Sequence, residues 1–225
     1  MKRPDATQPN SLRYKFRKKR FERIEAMIRD TLETQASVSI LDIGGRRDYW
    51  DYLEPDLRSK THITLVNFEQ ELTEFSEKSD ELNLTSVVGD GCNMPQFEAG
   101  SFDIAHSNSV IEHVGSLANM VKYADEIRRV GKKYYVQAPY LWFFLDPHFG
   151  VPFIHWLPGP SRALLMHKYK VGFSNTPIED YREALTEADN IRLVDKALMK
   201  RLFPDSSLFK ERFCLMTKSL IMVKA

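Results

Sequence analysis

The stretch Val38-Ser39-Ile40-Leu41-Asp42-Ile43-Gly44-Gly45 decides the fold of this 225-residue chain. Val38, Ile40 and Ile43 are β-branched, and so apolar a run suits a strand covered on both faces, as in a parallel sheet. The two glycines that end it turn the chain without a Cβ in the way, so backbone N–H groups there can approach a ligand closely. A strand followed by Gly-Gly is also common punctuation between elements, so its meaning depends on its surroundings.

Outward from that stretch, strand-like and helix-like segments alternate, the pattern of a parallel sheet with helices on both faces. The strand candidates are 38–43, 63–67, 85–88, 102–107, 134–138, 191–197 and 219–223, seven in all. Leu117, Met120, Val121, Ala124 and Ile127 recur at three- and four-residue steps and predict a helix over 117–129. Thr176, Pro177 and Glu179 read as N-cap, first helical position and capping-box partner of another helix running through Tyr181, Leu185 and Ala188. The predicted fold is α/β: a Rossmann-like, doubly wound, mostly parallel seven-stranded sheet. The domain plan is a basic helical extension over 1–34, then a single domain over 35–225. Within that domain, 140–160 is irregular and rich in aromatics, His and Pro, as functional segments and lids often are.

Composition bounds the function. A 43% hydrophobic content supports a sizeable core in one domain. Cys92 and Cys214 have no CxxC spacing, which argues against a disulfide framework or a zinc site and fits a reducing, cytoplasmic location. The uncharged run 134–145 is too short to span a bilayer, and no apolar segment follows the basic N-terminus as a secretion signal requires. Charge is balanced overall, but residues 1–29 hold ten Lys/Arg against three Asp/Glu, leaving the rest net negative. From Arg13 to Arg23, Tyr14, Phe16 and Phe21 interleave with basic residues and lead into Ile24, Met27, Ile28 and Leu32 at helical spacing. This predicts an amphipathic helix that either contacts phosphates or an acidic partner, or covers a sheet edge or ligand mouth.

Five elements fall in one order: Leu41-Asp42-Ile43-Gly44-Gly45, Leu65-Val66-Asn67-Phe68-Glu69, Gly89-Asp90-Gly91-Cys92-Asn93-Met94-Pro95, Gly100-Ser101-Phe102-Asp103-Ile104-Ala105, and Ser107-Asn108-Ser109-Val110-Ile111-Glu112-His113-Val114. Over residues 38–138 the chain resembles the class I S-adenosylmethionine-dependent methyltransferases, in particular the small type 11-like group. The resemblance implies seven strands with the last antiparallel, and S-adenosyl-L-methionine bound over the carboxyl ends of the first strands.

It also implies roles for individual residues. Asp42 with Gly44 and Gly45 would receive the methionyl end of the cofactor. Arg46 and Asp48 depart from the alternating-glycine pattern; Arg46 or Arg47 either adds charge there or caps the turn. Asn67 stands where an acidic residue usually accepts from the ribose, and Glu69, two residues on, would substitute for it. Asp90 would accept from the adenine amine with Gly91 giving the ring room, and Met94 and Phe97 either flank the ring or pack in the core. Ser107 and Asn108 would face the site. Some methyltransferases hold a divalent metal with Glu-x-x-Glu-His here, but Ser109 replaces the first Glu. Glu112 and His113 alone are too few, so no metal is predicted.

Tyr140, Trp142, Phe143, Phe144, Phe149, Phe153 and Trp156 would wall an apolar substrate cavity, with Asp146, His148 and His155 inside it. His148 and His155 are the candidate catalytic residues, since removing a proton near neutral pH suits an imidazole. The alternative is a hydrophobic cap over satisfied histidines. The predicted reaction is methyl transfer to O or N of a small molecule, glycan or lipid-linked intermediate, by a monomer or homodimer with at most peripheral membrane contact. One rival is a binding protein that kept the fold without turnover. Another is a nucleic-acid methyltransferase using the basic N-terminus, against which stands Ser107-Asn108-Ser109-Val110 in place of an Asn-Pro-Pro-Tyr-type signature.

Overall fold

A computed structural model describes residues 11–68, 82–172 and 176–225. One sheet contains β1 (Val38–Ile43), β2 (Thr61–Asn67), β3 (Asn83–Val88), β4 (Phe102–Asn108), β5 (Gly131–Pro139), β6 (Ser207–Phe213) and β7 (Met216–Lys224), ordered β3-β2-β1-β4-β5-β7-β6. The first five strands run parallel, and β7 is antiparallel to both β5 and β6. Strand order reverses between β1 and β4, which opens a crevice beyond their carboxyl ends.

The alternation of side chains along β1 allocates its two faces. Leu41 and Ile43 pack with Met120, Tyr123 and Ile127 of α4 (Leu117–Val130) and Met199 of α7 (Lys196–Leu202). Val38 and Ile40 pack with Phe21, Ile24 and Ile28 of α1 (Leu12–Leu32), and with Trp50 of the short α2 (Arg47–Trp50) and Leu57 of the short α3 (Pro55–Arg58). The basic N-terminal helix is therefore fixed by an apolar stripe, each fully buried residue of which contributes about 1.5–3 kcal/mol. Ser11 begins α1 by accepting from the Tyr14 N–H at 3.0 Å. On the α1 face the register aligns Asp42 with His106 and His106 with Tyr135. A smaller cluster joins Phe149 and Ile154 to Ala163 and Met166 of α5 (Gly159–Lys168) and Ala184 and Ala188 of α6 (Tyr181–Asp189).

Two expected elements are displaced. The span 191–197 is not a strand: Val194 alone bridges to Tyr140, and Asp195 accepts from the Leu198 N–H at 2.8 Å to start α7. The sheet is completed instead by β6, whose charged run Lys210-Glu211-Arg212 hid it. The helix expected from Thr176 begins at Tyr181, capped by Asp180, because Ile178 is tied as non-helical chain to α5, its N–H donating to Met166 O at 3.0 Å. No helix among the described residues is long and apolar enough to cross a membrane.

Candidate active site

Beyond the carboxyl ends of β1, β2 and β3 lies a cleft of about 530 Å³, lined by Gly44, Asn67, Phe68, Asp90, Ser109 and His113 among others. Gly44 has φ +67°, and a Cβ on it would lie 2.6 Å from Val110, so both backbone conformation and space demand glycine. A Cβ on Gly45 would lie 1.9 Å from Asp42 Oδ2, because that carboxylate folds back beneath the turn. Asp42 does not reach the cleft. It shares the inward parity of Val38 and Ile40 and is 1% exposed. Trp50 Nε1 donates to its Oδ2 at 2.8 Å, and His106 Nδ1 donates to its Oδ1 at 2.6 Å. Asp42 thus braces the glycine turn from below, while Asn67 Nδ2 donates to Gly45 O at 2.9 Å from the side.

Asp90 stands at the cleft wall, its Oδ1 accepting from the Cys92 N–H at 2.8 Å. Gly91 lets this turn pack against Tyr123 and Ile43, both within 2.7 Å of where a Cβ would be. Glu69 lies outside the described residues. Ser107 turns inward to Tyr123 OH at 2.8 Å, and neither it nor Asn108 lines the cleft; Ser109 does. Met94 is a core residue, and Phe97 packs on Phe102. Arg46 pairs with Asp48, which also binds Arg17.

A second cavity of about 460 Å³ lies on the other side of Ser109. Tyr140, Phe143 and Phe144 wall it as expected; Phe16, Arg17 and Arg20 of α1 form a side the sequence did not assign to it. Four expected aromatics are elsewhere: Phe149 is buried in the α5–α6 cluster, and Trp142, Phe153 and Trp156 are exposed, Phe153 and Trp156 with ring centroids 5.0 Å apart. His155 lines neither cavity; it is buried with Nε2 3.0 Å from Leu141 O. His148 does line the second cavity, and Asp146 Oδ1 orients it, accepting from the His148 backbone N–H at 2.9 Å and lying 3.0 Å from Nδ1.

The two cavities meet at Ser109, His113 and His148. Ser109 lines both and is held at φ 60°, a strained conformation for a non-glycine residue, by N–H and hydroxyl bonds to Gln137, each 2.9 Å. His113 Nε2 and His148 Nε2 are 3.0 Å apart. Beneath them Glu112, 0% exposed, has no hydrogen-bond partner on either carboxyl oxygen, and its Oε1 is 4.0 Å from His113 Nε2. Burial pushes Glu112 up to about 7, against the opposing pull of His148. Burial, helped by His148, pushes His113 down to about 4. The arrangement is a pair of imidazoles above an unsatisfied carboxyl group. No local sequence signal joins His148 to Glu112 and His113; thirty-five residues separate the two histidines, and only the return of the chain after β5 unites them.

Residues 41–134 match the family described as "Methyltransferase domain". The chain carries an S-adenosylmethionine-dependent methyltransferase domain. No curated protein matches the sequence. Among solved structures, the PH0226 protein from Pyrococcus horikoshii OT3 is similar at 17% identity and a TM-score of 0.56, over 99% of this chain and 95% of that one. An O-methyltransferase family protein from Burkholderia thailandensis is similar at 10% identity and a TM-score of 0.53, over 99% of this chain and 64% of that one. The CurJ carbon methyltransferase is similar at 12% identity and a TM-score of 0.50, over 89% of this chain. This chain spans about half the length of the CurJ chain, 52%. These likenesses are of fold. The residues present fit the cofactor: the Gly44 turn, which admits no side chain, lines with its backbone a cleft of suitable size, and a carboxylate, Asp90, and an amide, Asn67, stand at the ends of adjacent strands around it.

Proposed function

We propose that this methyltransferase moves a methyl group to an oxygen or nitrogen of a small molecule, glycan or lipid-linked intermediate held in the 460 Å³ cavity. The observation that carries the reading is the meeting of the two cavities at Ser109, with His148 on the acceptor side and His113 on the cofactor side. When bound, S-adenosylmethionine supplies a methyl group activated by its sulfonium centre. Backbone at Gly44, the Asn67 amide and the Asp90 carboxylate hold it in the cleft. Tyr140, Phe143 and Phe144 exclude water from the acceptor and orient it. Arg17, Arg20 and Lys218 on the same wall favour an acceptor that carries negative charge. In the metal-free protein the acceptor's proton is taken at His148 Nε2, since Asp146 engages Nδ1.

Calorimetry with S-adenosylhomocysteine tests the cofactor half. One site per chain is expected, with Asp90→Ala weakening binding by about 1–3 kcal/mol, the scale for a hydrogen bond to a charged group. Absence of heat at high ligand concentration would favour a binding protein that kept only the fold. Full affinity in Asp90→Ala would remove Asp90 from the site.

A further inference from the structure

Glu112, His113 and His148 form a cluster that neither a structural nor a simple cofactor-binding role accounts for. Each offers one ligand atom, and the three atoms lie within 4.8 Å of one another. A fully buried carboxylate normally has donors on its oxygens, as leaving them bare costs free energy; Glu112 has none on either. The two imidazoles present Nε2 atoms 3.0 Å apart. Two nitrogens at that separation subtend about 90° at a cation about 2.1 Å from each, a normal cis angle with a normal metal–nitrogen distance. Asp146, 3% exposed, accepts at Oδ1 from the His148 backbone and meets Nδ1 on the far side of the ring. A carboxylate behind a ligating imidazole is the usual outer support of such sites, fixing ring orientation and tautomer. A Cβ on Gly172 would lie 2.6 Å from His148 O, so the chain returning there packs directly on the loop that presents His148.

We propose that Glu112, His113 and His148 bind one divalent cation of the borderline class, such as Zn²⁺ or Co²⁺. Two imidazoles and one carboxylate select that class over Mg²⁺ or Ca²⁺, which prefer all-oxygen sets. Three protein ligands leave coordination positions open, the mark of a site that works on a ligand. The open side faces the junction of the two cavities, because His113 lines one and His148 the other. The cation's role there rests on the proposed function: it binds an acceptor hydroxyl oxygen and lowers its pKa. The hydroxyl proton leaves to solvent, the O–CH₃ bond forms, the S–CH₃ bond breaks, and the sulfur keeps the electron pair. In the loaded protein His148 is a ligand, and the cation replaces it as activator. The sequence expectation of no metal rested on two candidate ligands; the fold supplies the third.

The test is titration of the chelator-treated full chain with Co²⁺, read by its visible absorption bands and by calorimetry. One Co²⁺ per chain is expected, with Glu112→Gln and His148→Ala each losing at least about tenfold in affinity, Asp146→Asn about 10–100-fold, and His155→Ala nothing. S-adenosylhomocysteine affinity, measured on the same variants, should stay within about twofold and shows that they are folded. Absence of stoichiometric binding, or binding unchanged in Glu112→Gln and His148→Ala, overturns the site. Co²⁺ binding in a chain that does not bind S-adenosylhomocysteine would keep the metal site and sink the methyl-transfer reading; the reverse would sink the metal site alone.

Discussion

Asp42 and Glu112 are both sealed from solvent, 1% and 0% exposed, and each has an imidazole beside it. Their surroundings differ in one respect. Trp50 and His106 donate to both oxygens of Asp42, and His106 is stacked between Tyr49 and Tyr135 with centroids 5.1 and 5.3 Å away. Glu112 has no donor on either oxygen, and its neighbouring imidazoles line cavities. A buried carboxylate that is fully hydrogen-bonded rigidifies what it touches, here the glycine turn. One left bare raises the free energy of the native state until something binds it. The pair teaches that burial beside a histidine does not mark a working site; missing partners do.

The largest effect that could break this comparison is on stability. Asp42→Ala leaves Trp50 Nε1 and His106 Nδ1 unpaired in the core and should cost about 3–5 kcal/mol in urea unfolding, the scale for breaking a buried pair. A loss below about 1 kcal/mol would show that the turn is not held from beneath. Next comes turnover. Once an acceptor is found, His148→Ala should lower the rate by about 10²-fold with S-adenosylhomocysteine affinity unchanged. His155→Ala should leave turnover intact and lower thermal stability, as its ring is packed with Nε2 against Leu141 O. Equal turnover in the two variants would remove His148 from the chemistry.

Glu112→Gln should have the opposite sign to Asp42→Ala. The Glu112 carboxyl is raised to about 7 in the folded chain from an ordinary 4.5, so the native state holds its proton where the unfolded chain has released it. Native stability therefore falls as pH rises from 4.5 to 7, and the full cost is present above 7. In chelator at pH 8 the Gln variant should be more stable than the parent by about 3 kcal/mol, with the gain gone below pH 4.5. Urea melts at the two pH values decide it, and a variant less stable than the parent at pH 8 would mean that Glu112 has partners in solution. The smallest effect sharpens the other side. Trp50→Phe keeps the aromatic packing and removes one of the two Asp42 donors, for a loss of about 1–2 kcal/mol.

Where a pattern repeats locally, the sequence was legible. The β1 run, the three- and four-residue steps of α4 and the interleaved N-terminal helix are periodicities that the buried faces reproduce. Reading failed where the deciding contact is distant. Ile191–Ala197 has strand-like residues, yet Asp195 caps a helix there and polar β6 takes the place beside β7. Ser107 was expected at the site, but inside β4 its hydroxyl meets Tyr123, and the turn beyond the strand's end, with Ser109 at φ 60°, puts Ser109 at the opening. Of the proposed cofactor residues, Gly44, Asn67, Asp90 and Gly91 reach the cleft, whereas Asp42, Gly45, Ser107 and Asn108 do not.

The sequence by itself determined the class of fold, the glycine turn and the order of motifs, because helix and strand periods and glycine's missing Cβ are properties of neighbouring residues. Only the tertiary structure decided which carboxylate is braced and which is bare. That depends on the row that sets Asp42 beside His106, and on the loop after β5 that returns His148 to within 3.0 Å of His113. Hydrogen-bond satisfaction is settled by groups far apart in the chain, and no local pattern records it.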